Sequence, residues 1–223
     1  MNWKLPNQLT VGRVVLAGLF FVLIGLYEQG AAHSQGLLVA AFGVYIVAGI
    51  TDVLDGYFAR KWNITSAFGR IVDPIVDKVL VVGAFAMLTA SNYAMPQAII
   101  ANGSSFHFSS FELDLPLWFT GHMLSAVQGW MVVVIMSREF IVSAVRGYSE
   151  SCGIKFPATS AGKIKMFVQS VAICVILVQL ALFPDAPWAI VVKIVMVWLA
   201  VIATLLSGLA YVGKARKLLL AVE

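Results

Sequence analysis

Charge is what this sequence has least of. Asp, Glu, Lys and Arg make up 12% of its 223 residues, where a soluble domain carries about a quarter. Too few are present to clothe a globular interior in a polar shell, which leaves a polytopic membrane protein. Cysteine is nearly absent: Cys152 and Cys174 are far apart, and the second lies in an apolar run, which speaks against a disulfide. Histidine is as rare. His33, His107 and His122 fall in or beside polar turns remote from the main acidic cluster, so no catalytic role is assigned to them. A cleavable leader is not expected, because Arg13 interrupts the early apolar stretch and no small-residue cleavage site stands out.

What the chain does have is a succession of apolar runs. They predict helical spans over 11–27, 36–62, 68–90, 124–148, 164–183 and 188–211. Residues 1–10 mix Trp3, Leu5 and Leu9 with polar side chains and read as an amphipathic interfacial segment anchored by Trp3. Residues 91–119 lack helical periodicity and read as one long non-cytoplasmic loop, with an interfacial piece around Phe106, Phe108 and Phe111. The expected fold class is therefore an all-α integral membrane protein. It would form a single domain over residues 1–223, with six transmembrane helices and an N-terminal interfacial segment.

The distribution of charge supports this count. Turns 28–35, 91–119 and 184–187 contain no Lys or Arg, whereas thirteen of the fifteen basic residues fall on the other side of the six spans. The positive-inside rule then places both termini in the cytoplasm of a cell whose inner membrane holds the chain. A net charge of +4, so arranged, points to an anionic leaflet and not to nucleic acid. Lys78 and Lys193 are the two basic residues left out of that count as lying in spans away from their ends on that side, and Lys193, near the start of the sixth, is expected to snorkel outward.

Four of the eleven acidic residues, Asp52, Asp55, Asp73 and Asp77, crowd into one window between the second and third spans. Ionisable groups at membrane depth are costly and mark function, and so many carboxylates repel unless cations sit among them. Asp52 and Asp55 are three apart and Asp73 and Asp77 four apart, so each pair projects from one helix face. Hard oxygen ligands in that number suit Mg²⁺ or Mn²⁺, with two ions plausible. Gly56 and Ala59 leave space beside them for a flat ligand, and Arg60 is placed to meet a phosphate.

The pattern Asp52-x-x-Asp55-Gly56-x-x-Ala59-Arg60, eight residues, then Gly69-x-x-x-Asp73-x-x-x-Asp77 resembles the signature of the CDP-alcohol phosphotransferase family. The resemblance implies displacement of CMP from a CDP-linked lipid by an alcohol, with Mg²⁺ or Mn²⁺ required. It further implies that Asp52, Asp55, Asp73 and Asp77 ligate the metal and that Asp77 is the catalytic base. It places Gly56, Ala59, Arg60 and Gly69 around the CDP-lipid, and it implies a homodimer.

The acceptor is read from a second cluster. Arg138 and Arg146 share a helix face, and Gly162-Lys163-Ile164-Lys165 opens the fifth span, with Gln169 one turn on. Such a cationic group at a helix N-terminus suits a phosphate dianion, so Arg138, Arg146 and Lys163 are the candidates for an acceptor phosphate. This arrangement, with Pro6-Asn7-x-Leu9-Thr10-x-x-Arg13, is similar to the phosphatidylglycerophosphate synthases of that family. It implies CDP-diacylglycerol and sn-glycerol 3-phosphate as substrates. Met166 stands where that group often carries threonine. The alternatives are an inositol phosphate or phosphatidylglycerol acceptor, or, in another class, a divalent-cation transporter.

Overall fold

Long apolar runs free of polar punctuation satisfy their backbone groups internally as helices, and six such helices form among the described residues. The computed structural model describes residues 5–62, 67–95, 105–108, 111–116, 121–151 and 160–219. The helices are α1 (Leu5–Gly25), α2 (Ser34–Trp62), α3 (Ala67–Met87), α4 (Gly129–Ser151), α5 (Ser160–Leu182) and α6 (Pro187–Leu219). The shortest have 21 residues and the longest 33, or about 30–50 Å of helix, against a bilayer core about 30 Å thick. Among the described residues three stretches are both long and apolar enough to cross it: Ser34–Leu54, Ser160–Leu182 and Pro187–Tyr211. In α1 the apolar part is the shorter Thr10–Gly25, while α3 and α4 each carry several charges along their length.

Helix α1 packs against α2 and α3, α5 against α2 and α6, and α4 against α3 and α6. Phe20, Ile24, Leu38, Phe85, Met131, Ile135, Ile173 and Leu177 are wholly buried between them. The approach of α1 to α3 is set by Gly83, where a Cβ would lie 2.6 Å from the Phe21 ring. The outer surface is as apolar as the core: Val53, Phe167 and Leu209 are each about 70% exposed. Such a surface suits lipid, not water.

The ends of α1 and α3 are tied together by side chains. Asn92, in a 3-10 turn over Ser91–Tyr93, donates to the Tyr27 carbonyl at 2.9 Å, and the Tyr93 hydroxyl donates to the Ile24 carbonyl at 2.8 Å. These bonds satisfy carbonyls that the end of α1 leaves open. The Tyr27 and Tyr93 rings stack with centroids 4.6 Å apart, and burial raises the pKa of both phenols.

Several expectations need correction. From Leu5 onward the presumed interfacial segment continues into α1 without a break, since nothing in residues 5–10 stops a helix. Trp3 lies outside the described residues. The fourth helix begins at Gly129, not near 124, because Ala126 takes a left-handed conformation at φ 60°. Ser125 holds that turn, donating to the Leu88 carbonyl at 2.6 Å. The region read as one long loop contains an antiparallel hairpin, β1 (Ser105–Phe108) and β2 (Phe111–Pro116), a short pairing in an otherwise helical chain. Lys193 does not snorkel. It is 5% exposed and donates to the Leu124 carbonyl and, at 2.7 Å, to Gln179 Oε1.

Candidate active site

Asp52 and Asp55 lie toward the C-terminal end of α2, followed by Gly56, Ala59 and Arg60, while Gly69, Asp73 and Asp77 lie in the first half of α3. For Asp55, Ala59, Arg60, Gly69 and Asp73 the helical backbone is described and nothing further. The roles expected of their side chains lie outside the described residues. Gly56 is exposed on α2.

For the other two aspartates the geometry is clear. Asp52 of α2 and Asp77 of α3 both meet Arg13 of α1, whose side chain is 4% exposed. One guanidinium nitrogen lies 2.8 Å from Asp52 Oδ1, and the other donates to Asp77 Oδ1. Arg13 can do this because α1 packs on both helices, and a guanidinium offers a rigid fork of donors. In the sequence Arg13 stood out as an interruption of the early apolar stretch, and that position was the signal of a buried partner. Two hard carboxylates from separate helices thus already converge on one positive charge. That donor chemistry fits a divalent cation, although among the described residues no group of three or more ligating side chains forms.

Beside Asp77 opens a cavity of about 250 Å³. Asp77 and Lys78 line it from α3, Glu139 and Arg146 from α4, and Lys165 and Gln169 from α5. Lys165 is 2% exposed and forms an ion pair with Glu139 Oε1, which also lies 3.2 Å from Arg138 Nη1. Lys78 Nζ donates to Ser143 Oγ at 2.6 Å, and Ser143 in turn donates to the Glu139 carbonyl. Arg146 donates through one nitrogen to the Tyr211 hydroxyl at 3.2 Å, while its Nε, like that of Arg138, is buried with no partner among the described residues. Such buried open donors are costly.

Of the three residues expected to bind an acceptor phosphate, Arg146 lines this cavity. Arg138 lies behind it, bonded to Glu139 and Ser207. Lys163 is exposed on α5 and does not line the cavity. Lys78, Lys165 and Gln169 do line it. Lys165 and Gln169 were noted in the sequence without being chosen. Lys78 was visible as one of the two basic residues left out of the topology count, a signal not followed.

Comparison with known proteins bears on this arrangement. The family model for CDP-alcohol phosphatidyltransferase matches residues 3–206. The chain is 30% identical, over 95% of each sequence, to a Bacillus subtilis protein named CDP-diacylglycerol–glycerol-3-phosphate 3-phosphatidyltransferase. It is 32% identical to a probable phosphatidylglycerophosphate synthase of Mycobacterium tuberculosis, over 95% of this chain and 81% of the other. With a Haemophilus influenzae protein of the same name as the Bacillus one it shares 27% identity over 99% and 97% of the two chains.

Proposed function

Because the chain belongs to the CDP-alcohol phosphatidyltransferase family, we propose that it moves a phosphatidyl group from CDP-diacylglycerol to sn-glycerol 3-phosphate. The products are phosphatidylglycerophosphate and CMP, and the reaction serves phospholipid synthesis. The relatives' names supply the substrates. The observation that carries the reading to this chain is the cavity, where the carboxylate of Asp77 shares a wall with Lys78, Arg146 and Lys165. A base and a set of cations in one small space suit an alcohol that already bears a phosphate.

In this reading Arg146, Lys78 and Lys165, which line the cavity, hold the acceptor phosphate. The acceptor's hydroxyl then lies toward Asp77, whose carboxylate takes its proton as the new bond to phosphorus forms. The bond from that phosphorus to the bridging oxygen breaks, and CMP leaves with the oxygen. Arg13, bonded to Asp77 Oδ1, fixes the carboxylate's orientation. Gly56, Ala59, Arg60 and Gly69 would hold the CDP-lipid. Asp52, Asp55, Asp73 and Asp77 would hold one or two Mg²⁺ or Mn²⁺ ions, which when bound neutralise the diphosphate. The chain would cross the inner membrane six times as a homodimer, with the site and both termini in the cytoplasm.

The test uses the purified protein in detergent, stripped with a chelator and supplied again with Mg²⁺ or Mn²⁺. CMP release from CDP-diacylglycerol is expected with glycerol 3-phosphate, dependent on added metal. Asp77→Asn should lower turnover by about 10²–10⁴-fold. Release with an inositol phosphate or phosphatidylglycerol in its place would reassign the acceptor. Metal flux into sealed vesicles without CMP release would overturn the enzyme reading.

A further inference from the structure

The polar side chains behind the cavity are anchored on a single face of α6. Thr204, Ser207, Gly208 and Tyr211 fall at helix spacings of three, four and seven and so share one side of the helix. Thr204, Ser207 and Tyr211 are 0%, 1% and 4% exposed. Gln169 donates to Thr204 Oγ1 at 2.8 Å, and Arg138 Nη2 donates to Ser207 Oγ at 2.6 Å. Arg146 donates to the Tyr211 hydroxyl, and the Arg138 guanidinium lies over the Tyr211 ring, 5.2 Å from its centroid. Gly208 makes room for this: a Cβ there would come within 3.3 Å of Arg138 Cγ.

From this geometry we infer that Tyr211 is a positioning residue for the acceptor site. Its hydroxyl, accepting from Arg146, fixes that guanidinium at the cavity wall, and its ring lies under Arg138, which pairs with Glu139. Tyr211 itself does not line the cavity and acts through the arginines. Polar groups on a helix of this hydropathy need such partners, because lipid offers none. The face of α6 is thus a template against which α4 and α5 set the cationic wall. This inference rests on the reading of the cavity as the acceptor site.

Tyr211→Phe keeps the ring under Arg138 and removes the hydroxyl from Arg146, whereas Tyr211→Leu removes both. Binding of glycerol 3-phosphate to the full chain in detergent, by calorimetry, is measured beside the kinetics of CMP release. Tyr211→Phe should weaken that binding and raise the KM for glycerol 3-phosphate by about five- to tenfold. The KM for CDP-diacylglycerol should stay at its wild-type value while the melting temperature falls by a few degrees from the lost buried bond, and Tyr211→Leu should shift the acceptor terms further. Equal changes in both KM values, or wild-type acceptor binding in both variants, would overturn the positioning role. If the wild type binds glycerol 3-phosphate, Tyr211→Phe weakens it and no CMP appears, the inference stands and the proposed reaction falls. If wild-type turnover with glycerol 3-phosphate is robust and Tyr211→Phe leaves its KM unchanged, the reaction stands and the inference falls.

Discussion

Replacing Arg13 by methionine removes the one positive charge that α1 places between Asp52 and Asp77. The Asp52 side chain is 44% exposed, so solvent screens that pair and its loss costs about 0.5 kcal/mol. Asp77 is 28% exposed and its partner 4%. Taking the Arg13 cation away from such a carboxylate costs about 2 kcal/mol, below the 3–5 kcal/mol of a fully buried pair. The sum, about 2–3 kcal/mol, corresponds to a fall of about 5–10 °C in the melting temperature of a chain this size. Arg13→Lys should fall between the two, since one ammonium replaces the fork but cannot hold two carboxylates in fixed geometry. The same substitution leaves two carboxylates with a greater demand for a cation. Added Mg²⁺ should therefore raise the melting temperature of Arg13→Met more than that of the wild type, by linkage. Thermal unfolding in detergent, followed with and without metal after chelation, reads both effects. If Arg13→Met melts within about 1 °C of the wild type and shows no greater response to Mg²⁺, the bridge carries no such weight and the reasoning fails.

Lys165→Met should destabilise the chain by about 2–4 kcal/mol, because it leaves Glu139 buried with Arg138 as its remaining cation. Adding Glu139→Gln should recover part of that loss, and strictly additive effects in a double-mutant cycle would refute the coupling. Lys193→Met should cost about 1–3 kcal/mol in a thermal melt, since Gln179 Oε1 and the Leu124 carbonyl each lose a donor. None of those three residues lines the cavity, so the KM for glycerol 3-phosphate should hold, and a shift of more than about twofold would refute their separation.

Helices were legible because their cause is local. A run such as Ile164–Phe183 has one way to satisfy its backbone in lipid, and α5 ends at Leu182, one residue from where the apolar run stops. The start of α4 was not legible, because a left-handed Ala126 and the Ser125–Leu88 bond are tertiary facts with no local signal. Lys193 misled for a related reason. A lysine near a helix end ordinarily reaches for the interface, but Gln179 of α5 and a carbonyl from the segment before α4 stand close enough to hold it inside.

That Asp52 and Asp77 come to one place was readable, because the short turn between α2 and α3 makes them neighbours, and both meet Arg13. The cavity lining was not, because it is assembled from α3, α4 and α5 across the bundle. Lys163 and Lys165 are two residues apart, so they point to nearly opposite sides of α5, and composition says nothing of which side faces inward. Glu139 on the neighbouring α4 decides it, and Lys165 is the lysine turned in. That choice also sets the charge the cavity offers. Asp77 is met by Arg13 and Lys165 by Glu139, while Lys78 and Arg146 bond to the neutral hydroxyls of Ser143 and Tyr211. Two cations among the lining side chains thus have no carboxylate bond among the described residues, and that is the charge the proposed phosphomonoester acceptor would meet.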